Sequence, residues 1–179
     1  MKARRKILGG IAVLAGLIVI AGIGSSPVVR AAEGIPQVEL NADNLAPRPI
    51  EELTSKVVPR DYAHAWQTLA EALDGNRADL LNAYFTGLAK ENFTSKIADQ
   101  KRTGLHTHFV DHGHKLDGVF YAPAGDAMQL RDQARLEVQL LDGTKVVHSE
   151  TLTQNYIVLM TPGADRWLVR DLEPVQGQQ

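Results

Sequence analysis

Four histidines lie within one short segment of this sequence, at His106, His108, His112 and His114. On a straight β-strand their side chains would share a face, because alternate residues point to the same side. Two H-x-H pairs of imidazole nitrogens can bind zinc, copper or nickel. Asp111 offers a carboxylate, but the residues from Asp111 to Gly113 also resemble a turn, and no distant acid is matched to the site. A solvated histidine-rich loop or a partner surface is therefore the simpler interpretation, with a pH-responsive contact as a third. The four histidines therefore stay candidates only, and the sequence predicts neither a bound metal nor a cofactor.

A second group of candidate residues lies in the alternating C-terminal half of the chain. His148 and Glu150 could act as a base and its orienting partner if their strand face is concave. The strand register decides this, since a slip of one residue reverses every face. A two-residue turn at Asp142-Gly143 pairs Val138 with Val147, whereas a three-residue connection pairs Val138 with His148. The simpler interpretation is that His148 and Glu150 are ordinary polar side chains on the exposed face of a strand.

Asp132 is the best candidate for a carboxylate that faces the interior, because it lies on the apolar side of its strand. Isomerases that abstract a proton beside a carbonyl need such a carboxylate in an apolar pocket, together with hydrogen-bond donors. Tyr62, Tyr84 and Tyr156 are candidate donors, although each is also a natural core residue. The sequence has no nucleophile elbow, P-loop, dinucleotide fingerprint or H-E-x-x-H motif. It therefore favours a protein without enzymatic activity.

Composition excludes several other classes of function. The chain has 179 residues, a formal net charge of −2 and no cysteine. Disulfides, thiolate metal sites, cysteine nucleophiles and a lipidated cysteine are therefore excluded. No basic run follows the first few residues, so we expect no binding to nucleic acid.

The strongest local signal is at the N-terminus. A basic cluster, Lys2 to Lys6, precedes an uncharged apolar run over residues 7–24. A helix of that length spans about 27 Å, which suffices for a thin bilayer. Basic flanks resist translocation, so the N-terminus is predicted to be cytoplasmic and the remainder periplasmic or otherwise extracytoplasmic. A cleaved signal peptide is the alternative, and it too exports the chain.

Proline content and periodicity divide the rest of the chain. We predict a cytoplasmic tip and anchor over residues 1–24, a proline-rich linker over 25–58, a folded domain over 59–174 and a tail over 175–179. As an extended chain, the linker could reach roughly 100 Å.

The folded domain changes from helical to strand periodicity along its length. Apolar stripes predict a helix from Pro59 to Asp74, a second from Asn76 to Leu88 and a third over 91–98. A strand or hairpin is expected over 106–121. Strict alternation predicts a long strand from Met128, a hairpin turn at Asp142-Gly143, a strand over 145–160 and a last strand over 166–172. The fold class is therefore α+β, with three helices packed on a curved antiparallel sheet.

Three segments carry a resemblance to a known superfamily. They are the opening helix over 62–66 (YAHAW), the segment over 80–85 (LLNAYF) and the ending over 166–172 (RWLVRDL). With this order of elements, the chain resembles the NTF2-like, or cystatin-like cone, superfamily from about Pro59 to Pro174. That superfamily includes isomerases and SnoaL-like cyclases as well as non-catalytic proteins. The VirB8-type and Mce-associated members share the plan of one membrane anchor and an exported cone.

This plan predicts a single-pass membrane protein whose domain serves as an accessory or assembly subunit of a larger membrane complex. The expected partners are the lipid bilayer, through residues 7–24, and the other subunits of that complex. The resemblance is also compatible with a homodimer formed through the sheet. The alternatives are a small-molecule-binding or enzymatic domain built around Asp132, His148 and Glu150, and a periplasmic metal-binding protein.

Overall fold

The computed structural model of the protein describes residues 34–175. These residues form a five-stranded sheet with helices packed on one face, so the predicted α+β class is confirmed. The elements are β1 (Val38–Asn41), α1 (Glu52–Asp74), a 3-10 helix (Ala78–Ala83), α2 (Gly87–Thr103), β2 (Leu105–Tyr121), β3 (Met128–Asp142), β4 (Lys145–Pro162) and β5 (Trp167–Pro174). No helix within residues 34–175 is long and apolar enough to cross a membrane. The predicted anchor at residues 7–24 lies outside the described residues.

The strands lie in the order β1-β2-β3-β4-β5, so each strand pairs with its neighbour in sequence. β1 runs parallel to β2, and all other pairs are antiparallel. Along most of β3 the alternation predicted from the sequence holds. Met128, Leu130, Asp132, Ala134 and Leu136 are buried, and the residues between them are mostly exposed.

Helix α1 begins earlier than the sequence indicates. It starts at Glu52, with Pro59 inside it, rather than after Pro59. Proline lacks the N–H that would bond to the carbonyl four residues earlier, so it normally marks a helix start. Here Val58, beside the proline, is fully buried in the core. Tertiary packing of this turn outweighs the missing hydrogen bond.

The second and third helices also have different bounds in the structure from those that the sequence predicts. Only a short 3-10 helix forms over Ala78–Ala83, and Leu88 is 54% exposed instead of inward. The chain leaves helical geometry because Tyr84 and Thr86 hydrogen-bond with the backbone of Val169 on β5. The third helix, α2, consequently starts at Gly87 and is longer than predicted, while Ile97 faces the core as expected.

Two segments of the predicted linker belong to the fold. Residues 38–41 form β1, and residues 52–58 form the first turns of α1. β1 pairs with His114 to Asp117 on β2. Its four residues are too few for alternation to distinguish them from an extended linker.

The core fills the space between the helices and the sheet. One cluster of buried side chains joins α1, the 3-10 helix, α2 and the four long strands. The largest fully buried members include Tyr62, Leu69, Leu73, Leu81, Ile97, Leu116, Leu130 and Met160. The aromatic stripes of the helices are therefore core, as the simplest interpretation of the sequence has it.

Asp61 ties α1 to β5, and its removal should destabilise the fold. Its buried carboxylate accepts the backbone N–H of Trp167 at 2.8 Å and pairs with the exposed Arg60. In Asp61→Ala the buried N–H loses its acceptor, so we expect a loss of about 1–3 kcal/mol in the free energy of unfolding. Urea denaturation measures this. Asp61→Asn keeps an oxygen acceptor and should lose less; equal losses in both variants would contradict this role.

Candidate functional site

Three elements bring a histidine, an aspartate and a tyrosine together under the helices. Tyr62 lies on α1, His114 on β2 and Asp132 on β3. The strand register places His114 opposite Ala134 and Asp132 opposite Leu116, so both side chains lie on the helix-covered face of the sheet. His114 reaches this face because the pairing of β2 with β3 shifts between Asp111 and His114.

The polar atoms of this group form one continuous chain of hydrogen bonds. The Tyr62 hydroxyl donates to Oδ2 of Asp132 at 2.8 Å, and Nδ1 of His114 lies 2.8 Å from the same oxygen. Nε2 of His114 lies 2.8 Å from Oδ2 of Asp111. Asp111 is itself held in place, because its other oxygen accepts the backbone N–H of Gly113. Both imidazole nitrogens of His114 are therefore engaged by carboxylates. We call Tyr62, Asp111, His114 and Asp132 the inner network.

The inner network favours the charged form of its histidine. Burial lowers the pKa of His114, but hydrogen bonds and charge interactions with Asp111 and Asp132 outweigh burial and raise that pKa to about 9. At neutral pH the imidazole is an imidazolium that donates from both nitrogens. In this form His114 acts as a hydrogen-bond donor to Asp111 and Asp132.

Aromatic rings close the network off from solvent. The Trp66 ring lies 4.6 Å from the His114 ring, and the Tyr62 ring meets His114 edge-on at 5.5 Å. Side chains of His114 and Asp132 are both 0% exposed. Tyr156, half-buried, packs against Trp66 at 5.6 Å. Burial and the charges of Asp132 and Asp111 raise the pKa of Tyr156 to about 12, so its hydroxyl stays protonated.

Two buried polar atoms beside the network have no hydrogen-bond partner. They are Oδ1 of Asp132 and Nε1 of Trp66. Each is the kind of group that a small polar molecule or an ordered water satisfies. They mark the one place in the inner network where a ligand atom could add a bond.

His148 and Glu150 do not join Asp132. Their side chains are 59% and 54% exposed, and their nearest approach to each other is 3.8 Å. β4 pairs His148 with Leu140 and Glu150 with Val138, so neither predicted register is correct. The predicted turn at Asp142-Gly143 is wrong, because Asp142 pairs with Lys145 and the two turn residues are Gly143 and Thr144. A register shift at Leu140, which leaves Val147 without a partner on β3, moves the pairing by one further residue. Sequence alone does not reveal this bulge.

The four clustered histidines are separated by the fold. His106 and His108 approach one oxygen of Asp74, at 3.7 and 3.5 Å, while His112 is exposed and His114 is buried in the inner network. The segment is one continuous strand, and the residues at Asp111 to Gly113 form an irregularity in it rather than a turn. Across residues 34–175, no three His, Asp or Glu side chains are gathered in a way that could hold a metal ion.

The uncovered face of the sheet carries a shallow depression of about 520 Å³. The exposed residues around it alternate with the inner network along the same strands, so they point away from the helices. They include Lys115, Asp117, Arg131, Gln133, Asn155 and Ile157. Asp132 and Tyr156 also line this depression, so it reaches the strand positions that hold the inner network on the other face.

The sequence links His114 with Asp111 as a candidate metal site and Asp132 with Tyr62 as a candidate pocket, but it does not predict that the two pairs form one network. His114 was assigned to a surface cluster of histidines. A weak signal exists in the sequence, because Leu116 and Gly118 alternate with the charged Lys115 and Asp117, which gives His114 the same parity as Leu116. In the structure His114, Leu116 and Gly118 are all buried. Trp66, the ring that covers the imidazole, was expected only as core.

Comparison with known proteins assigns the fold. No protein-family model matches the chain, and no curated protein matches its sequence. Among solved structures, the intermembrane space region of the chloroplast protein ARC6 is similar, with a TM-score of 0.61 and 13% identity. The match covers 73% of this chain and 100% of that region.

Two bacterial structures are more distant. Kfla4162 from Kribbella flavida has a TM-score of 0.47 at 12% identity, covering 67% of this chain and 90% of that one. ActVI-ORFA from Streptomyces coelicolor has a TM-score of 0.44 at 14% identity, covering 65% and 92%. At such identities a likeness describes architecture rather than activity. The likeness to the ARC6 region, which has a TM-score of 0.61, therefore describes the fold alone: helices packed on a five-stranded sheet.

Proposed function

We propose that this protein is a non-enzymatic accessory or assembly subunit of a larger membrane complex. An N-terminal helix over residues 7–24 anchors it, with its N-terminus in the cytoplasm and its folded domain outside. The domain presents its surface to other subunits, while its interior holds the fold together.

The observation that carries this proposal is the closed inner network. An enzyme of this architecture would need an accessible base or acid inside the cone. Here Asp132 is the inward carboxylate, and Tyr62 and His114 occupy its Oδ2. Both nitrogens of His114 are bonded to carboxylates. His114 and Asp132 are 0% exposed and hydrogen-bonded to other members of the network, and only Oδ1 of Asp132 has no partner.

With the proposed anchor at residues 7–24, the start of β1 at Val38 supports a domain held close to the bilayer. Thirteen residues separate the end of the predicted anchor, at residue 24, from Val38, the first residue of β1. At full extension they span at most about 45 Å. The domain is thus limited to partners near the membrane surface, and a two-dimensional search raises the effective concentration of such partners. The ARC6 region of similar fold is, by its description, located in an intermembrane space.

Purification from native membranes tests this function. The full chain would be isolated in mild detergent, and the proteins that travel with it would be identified and quantified by mass spectrometry. We expect one or more membrane proteins in stoichiometric amounts. A chain that purifies alone, and that turns over or retains a small molecule, would contradict the subunit proposal.

A matched pair of charge reversals sharpens the experiment. Arg131→Glu alters the exposed sheet face, whereas Arg102→Glu alters the exposed end of α2. If the partner binds to the exposed sheet face, the partner should no longer co-purify with Arg131→Glu but should still co-purify with Arg102→Glu. Because both residues are exposed, both variants should fold with changes within about 0.5 kcal/mol.

One observation favours the alternative of a small-molecule-binding domain. Oδ1 of Asp132 and Nε1 of Trp66 are buried and unpartnered, and a ligand with one donor and one acceptor would satisfy them. This function would need the aromatic cover to open. Equilibrium binding that quenches tryptophan fluorescence, and that Trp66→Phe abolishes, would support it.

A further inference from the structure

The uncovered face of the sheet carries an apolar stripe along β4. Ile157 and Leu159 are half-buried and lie opposite Arg131 and Gln129 on β3, so their side chains point away from the helices. Val175, just beyond the end of β5, is 42% exposed beside them. Within residues 34–175 the helices all pack on the other face of the sheet. The stripe is therefore a surface on which another element can pack.

Opposite charges border this stripe on its two sides. Arg131 on β3 pairs in register with Ile157, and Ile157 pairs in register with Glu173 on β5, so the three residues lie in one row across the sheet. In the next row, Leu159 lies beside Asp171. The border on β3 is therefore basic, and the border on β5 is acidic.

The charges on the two borders are not used by the fold. In the part of the chain that the structure describes, Arg131, Arg135 and Glu173 form no ion pair. Asp117 lies opposite Arg131 on β2, but its carboxylate accepts a hydrogen bond from Asn41. Both borders can therefore pair with charges on a partner.

The spacing of the borders fits one α-helix. β3 and β5 are two strand spacings apart, about 9.6 Å, and a helix with its side chains is about 10–12 Å wide. A helix that lies above β4 therefore sets one edge over β3 and the other over β5. From Gln129 to Arg135 the strand advances about 20 Å, which is the length of about 13 helical residues.

The depression on this face gives such a helix an anchor point. It has a volume of about 520 Å³, and Arg131 and Gln133 line one side of it while Ile157 and Val175 line the other. A large apolar side chain can fill it, as anchor residues fill pockets at protein interfaces. A second sheet fits less well, because stacked sheets need apolar side chains on several strands, whereas β3 presents Arg131, Gln133 and Arg135 here.

We propose that an amphipathic helix of another subunit docks along β4 on the uncovered face of the sheet. Its apolar stripe covers Ile157 and Leu159, its acidic edge faces Arg131 and its basic edge faces Glu173. The two borders fix the direction of the helix, because a reversed helix would set like charges together. Apolar anchors three and four residues apart are typical of helices bound in this way. The inference rests on the proposed function, since it names the kind of segment that a partner subunit contributes.

Site-specific photo-crosslinking in native membranes tests the docked helix. In the full chain, the photo-reactive residue p-benzoylphenylalanine would replace Asn155, which is exposed and lines the depression. The matched control places it at Thr94, which is exposed on α2. We expect position 155, but not position 94, to cross-link to one peptide of another protein. Mass spectrometry should show that apolar residues recur three and four apart in this peptide, between an acidic and a basic edge.

Charge variants test the basic border. Arg131→Glu should lower the yield of the cross-link from position 155 roughly fivefold, because repulsion replaces attraction at an exposed ion pair. Arg131→Lys keeps the charge and should keep the yield, and so should Arg102→Glu on α2. A higher salt concentration should lower the yield of the wild-type border, since salt screens exposed charges. An equal yield for Arg131→Glu and Arg131→Lys would overturn the charge pairing.

The outcomes separate the docked helix from the proposed function. A cross-link from position 155 to the N-terminal residues of the same chain, to a second copy, or to a segment without the two charged edges would overturn the docked helix. The absence of any cross-link from position 155, while stoichiometric partners still co-purify, would also overturn it but would leave the proposed function standing. If no partner co-purifies, both fail.

Discussion

Replacing Asp132 with alanine is expected to lower the free energy of unfolding by about 3–5 kcal/mol. The side chain is 0% exposed, and Oδ2 binds both the Tyr62 hydroxyl and Nδ1 of His114. Its removal leaves a buried imidazolium with one carboxylate instead of two and a buried hydroxyl with no acceptor. Removing one member of a buried ion pair costs more than the pair contributes, because the other charge remains in a medium of low polarity.

Urea denaturation at pH 7 measures the Asp132 effect. Gln133→Ala is the matched control, since Gln133 is the next residue on β3 and is exposed on the other face. The free energy of unfolding of Gln133→Ala should differ from that of the wild type by no more than about 0.5 kcal/mol. If the two variants were equally stable, the carboxylate of Asp132 would have to be solvated, and the inner network would not exist as described.

Stability should fall as the solution becomes alkaline, through the titration of His114. Hydrogen bonds to Asp111 and Asp132 outweigh burial and raise the pKa of His114 to about 9, from an ordinary value near 6.5. Because the folded state binds this proton more tightly, its contribution is fully present below about pH 6.5 and is lost as the pH rises through 9. A shift of this size corresponds to about 3 kcal/mol.

The measurement is the free energy of unfolding of the wild type and of His114→Gln from pH 6 to pH 9.5. The difference between the two proteins should shrink as the pH rises, since only the wild type loses a bound proton in that range. Groups that do not contact His114 titrate equally in both chains and cancel. Parallel pH profiles would show that His114 has an ordinary pKa and that its carboxylate partners do not hold the proton.

The sequence predicts the long periodic elements because their patterns repeat many times. The alternation along β3 placed Asp132 on the inner face, and the stripe of α1 placed Tyr62 and Trp66 inward; both residues are buried there. A side chain on a long regular strand or helix has its direction fixed by every neighbour in the pattern.

The sequence does not predict the irregularities, and these assemble the site. The register shift between Asp111 and His114 turns a histidine that belongs to a polar run into a core residue. The shift at Leu140 sets the face on which His148 and Glu150 lie. A bulge depends on the energy of pairing with a particular neighbouring strand, which no local pattern contains.

The short elements are not predicted from the sequence, for a related reason. β1 and the first turns of α1 form within a segment rich in proline, since tertiary contacts such as the burial of Val58 stabilise them. The 3-10 helix ends early because Tyr84 and Thr86 bond to β5, a partner far away in sequence. Local propensity is a weak guide wherever distant contacts decide the backbone.

The protonation state of His114 tests the central claim most directly, because the proposed function rests on an interior without a free base. Nitrogen-15 NMR of the histidine-labelled full chain would follow both ring nitrogens of His114 between pH 6 and pH 10. We predict that both nitrogens carry protons at pH 7, with a single titration near pH 9 that Asp132→Asn moves downward. A neutral ring at pH 7, with one nitrogen unprotonated, would contradict the account and would identify a base inside the cone.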